Sequence, residues 1–221
     1  MFARTLALCA AAVLSVSVLF QPAVAASVAA FEGHDYATVK APQPVATGKK
    51  IEVLEFFWYR CPHCFQLEPS LHKWMKTLPK DAQIRRVPAV FRDDWMPAAK
   101  IYYTLEQMGQ IDRLSSKVFD AYNIEKINLD DPAVLGPWIV KQGVDRSKFE
   151  TIYNSFSTQS KATQGGRLAT AYAITGVPTF IVDGKYMTAQ SMTQTEPRLY
   201  EVLNQLIVKA RAERSGKKPV K

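Results

Sequence analysis

The feature that most constrains the fold is an apolar run, residues 51 to 59, that ends two residues before the sequence Cys61-Pro62-His63-Cys64. The run is rich in β-branched and aromatic side chains, and the only charged residues in it are Glu52 and Glu55. Such a run is typical of a strand that is buried on both faces of a sheet. We therefore expect a central strand here, with the cysteine pair just after its end.

The residues that follow Cys61 have the spacing of a helix. Between residues 62 and 78 the apolar side chains recur on one helical face, and the pattern stops at Pro79. Trp74 and Met75 fall on that face, so both are expected to lie in the core. The pattern therefore places Cys61 between the end of a strand and the N-terminus of a helix.

The region between residues 79 and 172 contains one more strand and a long helical block. Residues 84 to 91 predict a strand that Pro88 interrupts, and a short strand is also expected earlier in the chain, near residues 36 to 39. From residue 96 to about 172 the pattern is helical, with turn residues that divide it into several short helices. Pro137 is expected to kink or restart one of them.

The C-terminal part predicts a hairpin followed by a helix. Two apolar runs flank Asp183-Gly184 between residues 179 and 187, which is a strong hairpin signal, and a helix is expected over residues 196 to 210. The order of elements is that of an α/β protein in which a helical block is inserted into a sheet-based scaffold. We expect five parts: a signal segment, a first scaffold part, the helical insertion, a second scaffold part and a basic flexible tail, over residues 1–26, 27–94, 95–170, 171–212 and 213–221.

The N-terminus has the layout of a secretory signal peptide. Arg4 precedes an apolar stretch from residue 6 to 20, and the small residues Ala23-Val24-Ala25-Ala26 follow it. The stretch has about 15 residues, fewer than the roughly 20 needed to cross a bilayer, so cleavage near Ala25 or Ala26 is expected. The mature chain is then an exported protein whose remaining cysteines are Cys61 and Cys64.

The net charge does not indicate a nucleic-acid partner. The formal charge is +8, and much of it comes from six Lys and Arg residues between residues 209 and 221. A basic end of this kind is typical of a solvated terminus. Basic and aromatic residues do not interleave along the chain as a nucleic-acid surface would require, so no nucleic-acid binding is expected.

The spacing of the cysteine pair excludes one function and leaves several open. Covalent haem attachment needs His directly after the second cysteine, where Phe65 stands. A structural zinc site needs four ligands, and one Cys-x-x-Cys supplies half of them, so no metal is expected. A structural disulfide would close a loop of only four residues and would contribute little stability. A redox-active disulfide is favoured, with a metal-holding or structural pair as the weaker alternatives.

The expected position at a helix N-terminus favours redox chemistry. A thiolate there faces unpaired backbone N–H groups and the positive end of the helix dipole, and both lower its pKa. Cys61 is expected to be the exposed, attacking sulfur, and Cys64, one turn further on, to be shielded and to resolve the mixed disulfide. His63 is expected to stabilise the Cys61 thiolate by its charge or by a hydrogen bond.

Three features together resemble a known family. They are residues 53 to 57 leading into Cys61-Pro62-His63-Cys64, the helical insertion, and Gly176-Val177-Pro178-Thr179 before the Asp-Gly hairpin. The chain resembles the thioredoxin superfamily and, within it, the DsbA family of periplasmic dithiol oxidases. The resemblance implies a thioredoxin fold with a helical domain inserted between the second βα region and the cis-proline hairpin, a periplasmic location and no cofactor.

The resemblance also implies roles for single residues. The Val177–Pro178 bond is expected to be cis and to lie against the redox pair, with Val177 and Thr179 forming an edge that docks an extended substrate peptide. Glu55 is similar to a buried acid that relays protons to or from Cys64; the alternative is a buried carboxylate that a nearby base or hydroxyl satisfies. For Pro178 the alternative is a trans proline that opens a strand.

The same resemblance implies the partners. They are reduced or partly unfolded exported proteins as substrates and a quinone-linked membrane oxidase of the DsbB kind that restores the disulfide, with the protein itself a monomer. Two alternatives remain: a disulfide isomerase or specialised reductase on the same fold, and a non-enzymatic exported binding module. His34 and His72 are expected at the surface without a partner, and Trp95-Met96 is expected either in the core or at the edge of a substrate groove.

Overall fold

The computed structural model describes residues 28 to 216. The expected signal segment, residues 1 to 26, and the end of the expected tail, residues 217 to 221, lie outside the described residues. Within the described part, no helix is long and apolar enough to cross a membrane.

A mixed five-stranded sheet forms the scaffold, in the order β1-β5-β4-β2-β3. Its strands are β1 Ala37–Thr38, β2 Ile51–Phe57, β3 Ala82–Pro88, β4 Thr179–Val182 and β5 Tyr186–Thr188. The strand β2 is parallel to β3 and antiparallel to β4, and β5 is antiparallel to both β4 and β1. The early strand and the hairpin around Asp183-Gly184 are confirmed. The strand expected over residues 84 to 91 is present as β3, but it starts at Ala82 and ends at Pro88.

The expected central strand is confirmed as β2. It pairs on both sides, and all seven of its residues are buried. Its two carboxylates are tolerated there because the parallel register places Arg85 and Arg86 on the neighbouring strand, where Arg85 binds Glu52 and Arg86 binds Glu55. Buried charges of this kind require such partners.

Eight α-helices are described between residues 28 and 216. They are α1 Pro62–Met75, α2 Met96–Gln107, α3 Ile111–Asn123, α4 Pro132–Lys141, α5 Arg146–Tyr153, α6 Phe156–Ala171, α7 Gln190–Thr193 and α8 Glu196–Arg214. A 3-10 turn, Asp93–Trp95, precedes α2. Helices α2 to α6 lie between β3 and β4 in the chain, so the expected block of short helices is present; the limits of the five expected parts stay a prediction.

Two helix details differ from the sequence pattern, and a third agrees with it. Helix α1 ends at Met75 and not near residue 78, because Thr77 turns back and donates both its amide and its hydroxyl to the carbonyl oxygen of Trp74, at 2.8 and 2.7 Å. Pro137 lies inside α4, which continues through it. Trp74 is buried in the core as expected, and Met75 packs against the same cluster.

The last helix extends further than expected, to Arg214, so the chain is still ordered where the flexible tail was expected to start. Glu213 accepts hydrogen bonds from Lys185, at 3.2 Å, and from the hydroxyl of Tyr186. Arg214 pairs with the buried carboxylate of Asp183. These side chains attach the end of α8 to the hairpin, so residues 213 and 214 belong to the last helix.

Helix α6 approaches the end of β3 very closely at two glycines. A Cβ atom on Gly165 would lie 2.7 Å from the carbonyl oxygen of Pro88, and one on Gly166 would lie 2.9 Å from that of Val90. Backbone atoms cannot move aside cheaply, so only glycine permits this contact. The helical block is thus held against the strand that runs beside the redox motif.

Gly165→Ala is expected to lower the free energy of unfolding by about 1–3 kcal/mol through overpacking. Without a clash, alanine would stabilise the helix by about 0.8–1 kcal/mol relative to glycine, so a net loss of stability shows that the added Cβ atom does not fit. Urea unfolding of the purified protein measures it. Gly176→Ala is the matched control, because no atom lies within 4 Å of its added Cβ; equal stability of the two variants would contradict the close approach.

Candidate active site

The cysteine pair lies where β2 leads into α1, as the sequence predicts. The strand ends at Phe57, and the amide of Cys61 donates to the carbonyl oxygen of Trp58 at 3.0 Å. Cys61 is the N-cap of α1, and Pro62 occupies the first helical turn, where its missing N–H costs no hydrogen bond. The sulfur of Cys61 therefore lies at the N-terminus of the helix.

The two sulfurs differ less in exposure than expected. Both are free thiols, and Cys64 is 1% exposed, but Cys61 is also largely covered, at 7%. The carbonyl oxygen of Val177 lies 3.4 Å from the Cys61 sulfur, from a loop that comes from the far end of the chain. The expectation of an openly exposed Cys61 is wrong, because this loop closes over the motif.

The electrostatics of the two thiols are opposite. The pKa of Cys61 is lowered to about 6, chiefly by a hydrogen bond from the Cys64 thiol and against the effect of burial. The backbone N–H groups of Cys64 and His63 lower it further, and the charge of His63 contributes least. The pKa of Cys64 is raised well above that of an ordinary thiol, first by burial.

These pKa directions divide the chemistry between the two sulfurs. At neutral pH Cys61 is mostly thiolate, the nucleophilic form, and Cys64 keeps its proton. The lowered pKa of Cys61 and the direction of the His63 effect are as expected; the hydrogen bond from Cys64, which the sequence did not predict, is the largest cause. The side chain of His63 is exposed and lies on the wall of a groove beside the pair.

The groove has a volume of about 480 Å³ and runs along the loop before β4. His63, Val177, Pro178 and Thr179 all lie on its wall, together with residues 173 to 176, Met187 and residues 189 to 192. The Val177–Pro178 peptide bond is cis, as expected. The structure therefore brings the four predicted side chains together at one surface next to Cys61.

A buried charge cluster lies behind the cysteine pair. Glu55 is 1% exposed and accepts from Arg86 at 2.5 and 3.3 Å, and Arg86 also donates to Glu68 at 2.9 and 2.7 Å. Burial raises the pKa of Glu55, with Arg86 opposing, and the charge of Glu55 in turn raises the pKa of Cys64. Glu55 is thus both satisfied by a base and electrostatically coupled to Cys64.

Sequence reasoning missed the partners in this cluster. Arg86 is a charged residue inside an otherwise apolar strand pattern, and Glu68 lies four residues after Cys64 on the same helix. Either position could have signalled a buried ion pair. His72 was also expected to have no partner, yet its Nε2 lies 3.0 Å from Glu68 Oε1. His34 is 59% exposed and lies 3.3 Å from Asp35.

Trp95, which the sequence predicted either in the core or at the edge of a substrate groove, stacks on Trp58. The rings of Trp95 and Trp58 stack at 3.8 Å with an interplanar angle of 6°, and neither indole N–H has an acceptor among the described residues. Arg60 lies over the Trp58 ring at 5.5 Å. Met96 packs against the core instead. Trp95 is therefore stacked on Trp58, three residues before Cys61, whereas Met96 belongs to the core side.

No group of three or more His, Cys, Asp or Glu side chains between residues 28 and 216 is arranged to hold a metal ion. Glu55 and Glu68 are engaged with Arg86, and His72 is engaged with Glu68. The geometry supports thiol chemistry at Cys61 and Cys64.

Comparison with known proteins gives the same answer. Residues 52 to 200 match the model of the DSBA-like thioredoxin domain family. The thiol:disulfide interchange protein DsbA of Burkholderia cepacia is 40% identical over 186 residues, which cover 84% of this chain and 88% of that relative. DsbA of Pseudomonas aeruginosa is 40% identical over 154 residues, which cover 70% of this chain and 73% of that relative.

Solved structures show the same similarity in three dimensions. The crystal structure of Pseudomonas aeruginosa DsbA aligns with a TM-score of 0.80 and 35% identity, covering 84% of this chain and 97% of that one. Reduced DsbA1 from Neisseria meningitidis aligns with a TM-score of 0.76 and 31% identity, covering 86% and 100%. The fold is therefore the thioredoxin fold with a helical insertion, and the chain belongs to the DSBA-like thioredoxin domain family as a thiol:disulfide oxidoreductase.

Proposed function

We propose that this protein donates its Cys61–Cys64 disulfide to reduced, partly unfolded exported proteins and so drives their oxidative folding. The observation that carries the proposal is the opposite shift of the two thiol pKa values, low at Cys61 and high at Cys64. A pair of this kind is stable when reduced, and a disulfide whose reduced form is stable is a strong oxidant.

The reaction proceeds by two thiol–disulfide exchanges. A substrate thiolate attacks the Cys61 sulfur, the Cys61–Cys64 bond breaks, and Cys64 leaves and takes up a proton. A second substrate thiolate then attacks the substrate sulfur held on Cys61, and Cys61 leaves as the thiolate. The substrate loses two electrons, the enzyme gains them, and of the two substrate thiol protons one remains on Cys64 and one is released.

The groove beside Cys61 serves as the substrate site. An extended peptide docks along residues 177 to 179, where Pro178 has no N–H and leaves the neighbouring backbone available. Val177 and Thr179 supply that edge, and Pro62 and His63 shape the helix start opposite it. Glu55 exchanges a proton with Cys64, which its burial and raised pKa favour.

The same chemistry defines the partners and the location. A protein that gives its disulfide away must be reoxidised, and we assign that step to a quinone-linked membrane oxidase of the DsbB kind. The signal-peptide layout of residues 1 to 26 supports a periplasmic location after cleavage. It acts there as a monomer.

Cys61→Ser is expected to abolish both the oxidation of a reduced, unfolded substrate protein and the reduction of insulin, because the remaining sulfur, that of Cys64, is buried, keeps its proton and has no partner for a disulfide. Cys64→Ser is the companion variant: it keeps the attacking thiol, so mixed disulfides form at Cys61 but turnover is lost. Both rates are measured against the wild-type protein. Unchanged activity in Cys61→Ser would reject every redox function for the pair and leave a binding module.

A further inference from the structure

His72 lies at the solvent end of a row of side chains that starts at Cys64. Cys64, Glu68 and His72 are spaced four residues apart on α1, so they lie on one face of the helix. Cys64 and Glu68 are buried, whereas the side chain of His72 is 40% exposed. The row therefore leads from the resolving cysteine to the surface.

Contacts connect His72 to the charges behind the cysteines. Its Nε2 lies 3.0 Å from Glu68 Oε1, the same oxygen that accepts from Arg86 at 2.9 Å. Arg86 also holds Glu55, whose charge acts on Cys64. His72 is thus the outermost member of a continuous network that reaches the redox pair.

A groove gives solvent access to this end of the network. It has a volume of about 260 Å³ between α1 and α3, and Glu68, His72 and Asp120 line it together with Phe65, Pro69, Ser116 and Phe119. Protons and ions can therefore reach His72 and the edge of Glu68 but not Glu55, which is 1% exposed.

The protonation of His72 changes the net charge of the network behind the cysteines. With both carboxylates ionised, Glu55, Glu68 and Arg86 together carry one net negative charge. A protonated His72 cancels that charge, and a neutral one does not. The disulfide is uncharged and the reduced pair carries the Cys61 thiolate, so a more negative network disfavours the reduced form only.

We propose that His72 is a positioning residue of the redox centre: acting through Glu68, it sets the charge of the network behind Cys64 and makes the protein a stronger oxidant when it is protonated. Histidine is the side-chain type that changes charge between about pH 5 and 8. The inference rests on the proposed function, because it requires Cys61 and Cys64 to be the redox pair.

Other ionisable groups near His72 do not remove this dependence. They are Glu68 on the same helix, Asp120 from α3, Arg86 from β3, Glu55 from β2 and Tyr200 from α8, which bonds to Ser70 one turn away. Burial raises the pKa of Tyr200, so it stays neutral at these pH values. Arg86 stays charged, since its pKa is raised by the two carboxylates.

The test is the redox equilibrium of the purified protein with glutathione, measured from about pH 5.5 to 8.5. His72→Lys keeps a positive charge throughout, so at about pH 8.5 its equilibrium constant for oxidising glutathione should exceed the wild-type value by about two- to threefold, the size of a screened charge effect over the roughly 16 Å of helix between residue 72 and the Cys61 thiolate. At about pH 5.5 the two proteins should agree. His72→Gln should behave in the opposite way, agreeing with wild type at high pH and falling below it near pH 6.

His34→Lys is the matched control, because His34 is also exposed beside a buried acid but lies outside the network; its equilibrium should follow wild type at every pH. A His72→Lys curve that coincides with wild type at high pH overturns the inference, as does an equal shift in His34→Lys. A constant offset at all pH values would mean that His72 acts by packing alone, which also overturns it. A wild-type protein that does not equilibrate with glutathione would instead reject the proposed function.

Discussion

Replacement of Arg86 by Met is expected to lower the free energy of unfolding of the oxidised protein by about 3–5 kcal/mol at pH 7, because it leaves two buried carboxylates without their shared cation. Glu55 and Glu68 both depend on Arg86, and both are almost fully buried. The guanidinium also lies 4.7 Å from the centroid of the Phe57 ring, so its loss removes packing at the end of β2. Urea unfolding with the disulfide intact measures the loss.

The loss should shrink as the pH falls. The pKa of Glu55 is already raised by burial, and without Arg86 it must rise further. A carboxyl whose pKa is higher in the folded than in the unfolded protein adds stability below its unfolded pKa, and that contribution disappears as the pH rises through the folded pKa. The difference between variant and wild type should therefore be largest above neutrality and smallest at acid pH, where Glu55 is protonated.

Arg211→Met is the matched control for this prediction. Arg211 also binds a carboxylate, Asp81, but both side chains are about half exposed. A surface pair of this kind contributes about 1 kcal/mol or less. An Arg86→Met variant that is as stable as Arg211→Met would show that the buried cluster carries no net stabilisation. A loss that does not change with pH would show that it comes from packing against Phe57 and not from the carboxylates.

Cys64→Ala is expected to raise the pKa of Cys61 from about 6 toward the value of an ordinary thiol, and by more than His63→Ala does. The hydrogen bond from the Cys64 thiol is the largest of the effects that lower this pKa, and the charge of His63 is the smallest of those resolved. Titration of the thiolate by its ultraviolet absorbance measures both variants. Cys64→Ser retains an O–H donor, so the pKa of Cys61 in this variant should lie between its values in the wild type and in Cys64→Ala.

The same shift predicts how the stability of the reduced protein depends on pH. The Cys61 pKa is lower in the folded than in the unfolded chain, so the thiolate stabilises the folded reduced protein above the unfolded pKa, and this stabilisation is lost as the pH falls through about 6. In Cys64→Ala the folded pKa of Cys61 is higher, so the pH range over which this stabilisation changes should be narrower and should begin at a higher pH. A larger pKa change in His63→Ala than in Cys64→Ala would contradict the assignment and return control of the thiolate to the His63 charge.

The local sequence was sufficient to predict the elements that carry the redox motif. A run of apolar residues defined β2, the spacing of Leu67, Leu71 and Trp74 defined α1, and the cysteines fell at their junction. The Asp183-Gly184 turn was equally clear, and both residues have the positive φ angles, 54° and 69°, that a tight hairpin requires. Each of these signals extends over a few neighbouring residues, so periodicity and turn chemistry are enough to detect it.

The contacts that set the chemistry of the site come from residues far apart in the chain. Val177 covers a sulfur 116 positions earlier, and Arg86 reaches Glu55 across 31 positions only because β2 and β3 align in one particular register. The stack of Trp58 on Trp95 likewise depends on how the helical block meets the end of β2.

The sequence by itself therefore determined the strand, the helix, the cysteine spacing and the class of chemistry. Only the tertiary structure decided how far Cys61 is exposed, which groups lower its pKa, and which base and histidine lie behind Cys64. The physical reason is that propensity and periodicity act between neighbours, whereas burial and the pairing of charges depend on strand register and on the packing of elements that the chain brings together from a distance.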